Sequence, residues 1–209
     1  MKSLSVINDV VIHKKPESDE IKYLPLSDIQ KIIHSEPSSF WKMVFLFLFE
    51  TGCRINEGRS VKFKDLNIIS NTVKLITLKQ RKPSFRVLKV SSELMKLILI
   101  HKSDSFLTDK DFIFSKSKNG KSVTNPSVWY HLRGNIQKSL GEEMITHSHS
   151  HMFRHSRSIH LLSSGMNIVL LKKFLGHSSI NSTLVYLKYH NSELFDSIDK
   201  SNESLYFGN

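Results

Sequence analysis

HSHSHMFRHSRSIHLLSSG, running from His147 to Gly165, sets a histidine and an arginine three residues apart at His151 and Arg154. On a helix, residues three apart share a face. An imidazole and a guanidinium on one face can grip a single small anion, because arginine offers a rigid fork of N–H donors matched to phosphate or carboxylate oxygens. Leu161 and Leu162 begin the apolar continuation that seats such a helix in a core. The pattern is weak alone and gains weight from its neighbours.

Downstream, the spacing predicts a helix over Asn167 to Phe174, ending near Gly176, and a last one from Ile180 to Tyr189. Upstream, Asn125-Pro126 opens a helix to about Leu140, since proline suits the first turn. Ser115 to Val123 reads as a basic Ser/Gly/Lys loop, and Asp111 to Phe114 as a short extended piece. Ser91-Ser92-Glu93 caps a helix carrying Leu94, Leu97, Ile98 and Ile100. Before it, Asn67-Ile68-Ile69, Thr72 to Leu78 and Arg86 to Val90 show the β-branching of strands. Ser70-Asn71 makes one turn between them, and Lys79 to Phe85 a basic hairpin loop. Ile55 to Ser60 is a short helical turn. Ser38-Ser39 starts a helix apolar nearly all round through Phe49 and ended by Gly52, which predicts full burial. Ser27 is the expected N-cap of the first helix, which carries Ile29, Ile32 and Ile33. The fold class is therefore α+β: mainly helical, with a small three-stranded antiparallel sheet in one domain. Residues 1–22 read as an N-terminal arm or linker, 23–190 as the domain, and 191–209 as a polar tail with scattered apolar anchors that could dock on a neighbouring protomer.

The composition narrows the partners. The 209 residues carry 30 Lys+Arg against 19 Asp+Glu, a formal charge of +11, and are 39% hydrophobic. That surplus points to a polyanion, because basic side chains release counterions from a phosphate backbone. No segment resembles a basic amphipathic membrane anchor. Met43 to Phe49 is too short an apolar run to span a bilayer, and the first residues lack the continuous apolar core of a signal peptide. Cys53 is the single cysteine, which fits a reducing compartment. The expectation is a cytoplasmic protein associated with nucleoid or viral DNA.

Four separated pieces complete the pattern: Thr51-Gly52-Cys53-Arg54-Ile55-Asn56-Glu57, Lys79 in the hairpin, His151 with Arg154 and His155, and Leu175-Gly176-His177-Ser178-Ser179 followed by Tyr186. Tyr186 lies nine residues past His177. This set resembles the tyrosine recombinase (phage integrase) family over about Leu24 to Tyr189: a TGxR-xxE box, an HxxRH box and an LGHSS box in the family's order and spacing. The hairpin lacks the glycines common in the family, and Lys79 fits its position best, with Lys82 in reserve. The larger members' separate N-terminal DNA-clamping domain is not expected within these 209 residues, as in short members such as the fimbrial-switch inverting recombinases.

The resemblance implies metal-independent strand transfer through a covalent 3′-phosphotyrosine, by a homo-oligomer (dimer or tetramer) on double-stranded DNA. Its catalytic set would be Arg54, Lys79, His151, Arg154, His177 and Tyr186, with no cofactor. Arg54 and Arg154 would clamp the phosphate, His151 and His177 would donate to its oxygens, Tyr186 would attack phosphorus, and Lys79 would protonate the departing 5′ oxygen. Arg81, Lys82, Lys116, Lys118, Lys121 and Arg133 are candidate DNA contacts that position the duplex rather than read it.

Each residue also has a plainer reading. Arg54 could be an arginine attracted to a helix C-terminus, Lys79 a solvated hairpin lysine, His177 a cap, and Tyr186 a core residue on an apolar helix. Tyr189, one turn on, competes as nucleophile. Glu57 is expected to orient Arg54, and His155 to pack or act behind the site. The histidine cluster invites zinc, but its spacings match no standard zinc box. The rival functions are a catalytically inactive DNA-binding regulator and a type IB topoisomerase-like relaxing enzyme.

Overall fold

The computed structural model describes residues 21–77, 84–149 and 151–189. The arm over 1–20, the tail from 190 onward and the hairpin loop with Lys79, Arg81 and Lys82 lie outside the described residues. Helix α1 (Leu26–Ser35) turns Ile29, Ile32 and Ile33 inward. Its N-cap is Pro25, not Ser27; from the proline's extended backbone the helix starts at Leu26, two residues earlier than a Ser27 cap would start it. Helix α2 (Ser39–Thr51) begins where the Ser38 hydroxyl accepts the Trp41 N–H, and ends at Gly52 in the left-handed region, φ 53°. It buries Trp41, Met43, Val44, Phe45, Phe47, Leu48 and Phe49. Side chains of this size each stabilise by about 1.5–3 kcal/mol when fully buried, so α2 is the axis of the main core.

Helix α3 (Ile55–Ser60) and a 3-10 turn (Phe63–Asp65) lead to the sheet, β1 (Leu66–Asn67), β2 (Thr72–Thr77) and β3 (Ser84–Lys89). The order is β1-β2-β3, antiparallel throughout, with Leu75 opposite Arg86. The first strand stops short of the expected Ile68 and Ile69. Asn67 turns the chain instead, its side-chain oxygen accepting the Ser70 N–H at 3.1 Å, and Asn71 takes φ 49°. Asparagine closes such turns through its own side chain and tolerates positive φ.

Ser91 caps α4 (Ser92–Asp104), and its hydroxyl also reaches Glu50 on α2 at 2.5 Å. Helix α5 (Asn125–Leu140) begins at the expected Asn125-Pro126, capped by Thr124. A 3-10 turn (Glu142–His147) precedes α6 (Met152–Ser163), and Asn167 caps α7 (Ile168–Leu175), which ends at Gly176 in the left-handed region. The last expected helix is two pieces, α8 (Asn181–Leu184) and a 3-10 turn (Val185–Tyr189). With three residues per turn, the 3-10 form stacks Tyr186 and Tyr189 on one side. A second, smaller core joins Ile159 and Leu162 of α6, Leu171 and Leu175 of α7, and Tyr186. Among the described residues, no helix is long and apolar enough to cross a membrane.

Candidate active site

Arg154, on α6, is almost fully buried, and both arms of its guanidinium are held. Nη1 donates to the Gly52 carbonyl at 2.7 Å and Nη2 to the Leu175 carbonyl at 2.9 Å. These oxygens belong to the C-terminal ends of α2 and α7, where the backbone dipoles present partial negative charge. Each helix ends in a left-handed glycine, at Gly52 and Gly176. One cation thus fastens two helix ends, and the residues just past them, Arg54 and His177, are carried to the same place. Guanidinium has five N–H donors, so donors remain for an anion. Burial lowers Arg154 to about 10, and the charge of nearby Arg54 adds to the fall. It stays protonated at neutral pH.

Arg54 is the N-cap of α3, and Glu57 closes the box on it. The Glu57 carboxylate accepts the Arg54 backbone N–H at 3.1 Å and Arg54 Nη1 at 3.1 Å. Glu57 is 1% exposed. Its second cation is Arg86 on β3, whose Nη2 lies 2.8 Å away. Burial works to raise the Glu57 carboxyl, but the Arg86 bond and charge, then Arg54, hold it below the ordinary carboxylate range. Arg86 Nη1 also donates to Thr77 Oγ1 at 3.2 Å.

His177 follows Gly176, and its Nδ1 lies 2.9 Å from Thr183 Oγ1. When the threonine donates that bond, the neutral ring carries its proton on Nε2, the nitrogen placed to donate to an incoming oxygen. Burial, then the charges of Arg154, Arg54 and Arg86, push His177 down to about 4. Tyr186 lies beside α6, 3.0 Å from His155 Nδ1, and is 2% exposed. Burial raises its phenol, opposed by the Ser158 hydroxyl and by the charges of Arg154 and Arg54. His155 is itself pushed down to about 4 by burial, then by His149, His151, Arg154 and His177, so it is neutral at pH 7. His151 is exposed and is the N-cap of α6 rather than a member of it. Its ring still lies 5.9 Å from that of His155.

Arg54, His151, Arg154, His177 and Tyr186 are thus gathered around one end of α6. Tyr189 is engaged elsewhere: its hydroxyl accepts the Ile21 N–H at 2.7 Å, and its ring meets Tyr23 edge-on. Lys116, Lys118, Lys121 and Arg133 are exposed. Lys116 Nζ lies 5.2 Å over the Phe40 ring and 5.1 Å over Trp41, and the Arg133 guanidinium 5.3 Å over Trp129. Arg86 and Thr183 were not singled out by the sequence. The signal for Thr183 was its place between His177 and Tyr186.

The chain belongs to the phage integrase family, whose pattern matches residues 22–193. Among its relatives is the tyrosine recombinase XerA of Pyrococcus horikoshii, 26% identical over 185 residues that cover 86% of this chain and 61% of the relative. The fold is shared with the catalytic domain of the bacteriophage HP1 integrase, at a TM-score of 0.59 and 19% identity over 90% of this chain and 96% of that one. It is also shared with the site-specific recombinase XerH bound to difH substrate in a pre-cleavage complex, at 0.66 and 21% identity over 79% and 50%. The chain spans 47% to 61% of the length of the first curated relatives it matches.

Two outcomes are expected from this geometry. A lysine at 154 cannot reach both carbonyls, so Arg154→Lys leaves buried acceptors unpaired and lowers unfolding stability by roughly 1–3 kcal/mol, measured in urea. Stability also depends on pH. His155 and His177 sit near 4 when folded against an ordinary 6.5, so the unfolded chain binds more protons between these values. Their contribution is complete above about 6.5 and is lost as pH falls through about 4. Thermal melts stepped down through that window should show a falling Tm, and a flatter profile in the His155→Gln, His177→Gln double variant. An unchanged profile would refute the assignment.

Proposed function

We propose that this chain is the catalytic part of a site-specific DNA recombinase of the tyrosine type, acting on double-stranded DNA. The observation that carries the reading is the fastening of Arg154 between two helix ends, which brings Arg54, His177 and Tyr186 into one neighbourhood, an arrangement that supports binding of a single phosphate. The charge of +11 supports a DNA partner, and the recombinase names of its relatives support the reaction.

In the proposed reaction the Tyr186 oxygen attacks phosphorus and the bond to the 5′ oxygen breaks, leaving a 3′-phosphotyrosine. Arg54 and Arg154 hold the non-bridging oxygens, and His151 and His177 donate to them. Preorganised donors lower the barrier where charge develops. The phenol proton passes to the neutral imidazole of His155, whose Nδ1 lies 3.0 Å from the phenol oxygen. Lys79 gives a proton to the departing 5′ oxygen; a lysine among other cations parts with its proton more readily. A 5′-hydroxyl from a partner duplex then reverses the step, restoring the phenol. The phosphotyrosyl ester keeps the energy of the bond it replaces, so the exchange needs neither metal nor nucleotide. Two such exchanges on two DNA sites require several protomers. Because Tyr186 is buried against His155, cleavage requires the last 3-10 turn to shift when DNA arrives.

The test is a nicked suicide duplex, first selected by capture of genomic DNA on the protein. Wild type and Tyr189→Phe should form a protein–DNA adduct stable in denaturant and unaffected by EDTA, and Tyr186→Phe should form none. An adduct lost in Tyr189→Phe but kept in Tyr186→Phe would reassign the nucleophile. Lys79→Ala should cleave an ordinary phosphodiester poorly, yet cleave well when sulfur replaces the bridging 5′ oxygen, because a leaving thiolate needs no proton. Equal defects on both substrates would remove Lys79 from the general-acid role.

A further inference from the structure

Glu57 raises an electrostatic problem for the proposed phosphate cradle. A carboxylate bound to Arg54 through both the backbone and the side chain fixes that arginine well. It also cancels the charge that Arg54 would offer to a phosphate. Interactions of this kind are strong here, because Glu57 is 1% exposed and water screens buried charges poorly.

Arg86 resolves the problem. Its Nη2 is 2.8 Å from Glu57 Oε2, closer than Arg54 Nη1 is to Oε1 at 3.1 Å. Thr77 Oγ1 steadies the other arm. One carboxylate therefore faces two guanidiniums, and the group is left with one net positive charge. Arg86 also lies directly under the turn that presents His177. A Cβ on Gly176 would fall 2.8 Å from Arg86 Nη1, so a larger residue there would displace the guanidinium, and the φ of +67° favours glycine in any case. Among the described residues, Arg86 Nε is buried with no hydrogen-bond partner, a cost accepted when the other two nitrogens are fixed by their surroundings.

We infer that Arg86 is a positioning residue of the reaction: it compensates the Glu57 carboxylate so that Arg54 stays cationic toward the phosphate, and it supports the turn that carries His177. This rests on the recombinase reading for its substrate, a DNA phosphodiester.

The experiment compares single-turnover adduct formation with DNA affinity in four proteins: wild type, Arg86→Met, Arg86→Lys, and Arg86→Met combined with Glu57→Gln. Arg86→Met should slow cleavage on the order of 10²-fold, the scale set by small misplacements at a reacting centre, with DNA affinity nearly unchanged. Removing the stranded carboxylate should restore part of that rate, so the two changes are not additive; a merely structural arginine would give a double variant worse than either single. Arg86→Lys keeps the charge and should cleave faster than Arg86→Met, and it decides the matter if the methionine variant does not fold. A wild-type rate in Arg86→Met, no recovery in the double variant, or equal loss in Lys and Met overturns the inference. If wild type itself forms no adduct, that failure belongs to the recombinase reading. Inorganic phosphate then decides Arg86 by itself: NMR titration of the Arg54 side-chain signals should show weaker binding in Arg86→Met, recovered in the double variant, and equal binding in all four proteins refutes the role.

Discussion

The guanidinium of Arg154, fastened to the Gly52 and Leu175 carbonyls, is the constraint on which the site depends. Each contact is an ordinary hydrogen bond, but the acceptors belong to different helices. Helix α2 runs through the main core and α7 through the smaller one. A buried cation between their C-termini locks the two cores in register, and it does so at the point where the chain leaves both helices. The glycines matter because a left-handed turn is what lets each helix stop and its successor leave toward the cation. Arg54 and His177 need no separate device to meet, since they inherit their meeting from α2 and α7.

The charge balance follows from the same arrangement. Burying Arg154 beside Arg54 and Arg86 would be costly if the cations faced only one another. The helix ends and Glu57 offset that cost, and the remainder is expressed in the histidines: His155 and His177 are held near 4, hence neutral at pH 7. The positive charge is therefore concentrated on groups that cannot lose it, while the imidazoles remain able to donate at one nitrogen and accept at the other. Such a division suits the proposed reaction, which would have to stabilise a dianion-like phosphorane and also move a proton.

Much of this was legible in the sequence, and the parts that were not have physical causes. The ends of α2, α5 and α7 could be read because Gly52, Asn125-Pro126 and Gly176 are local signals whose effect does not depend on distant packing. The boxes at Arg54 and His177 could be read because short loops fix these residues relative to the helix ends, and that at Arg154 because it lies in the first turn of α6. Arg86 could not. In β3, Phe85 is 63% exposed and Val87 55%, while Arg86 between them points inward. Apolar alternation assigns that arginine to solvent, and the inversion is visible only once Glu57 is known to lie beneath it. Departures of this sort from local pattern collect at functional sites, where another group makes up the loss. The 3-10 form of the last turn was hidden for a different reason: spacings of three residues fit an α-helix and a 3-10 helix alike.

That last turn also suits Tyr186 to the proposed reaction, in which a core residue would have to become a reagent. Tyr186 belongs to a cluster of only a few buried residues from α6, α7 and its own turn, far smaller than the core around α2. Small clusters open at low cost compared with global unfolding. The 3-10 hydrogen bonds that hold Tyr186 are poorer in geometry than those of an α-helix. The cradle, by contrast, is anchored by Arg154 to the large core through Gly52. The firmly anchored cations and the loosely held phenol thus lie on opposite sides of the proposed phosphate position. In the proposed reaction the cations would stay fixed while the phenol is presented, so a shift of one short turn would be enough to bring Tyr186 to them without rebuilding the cradle.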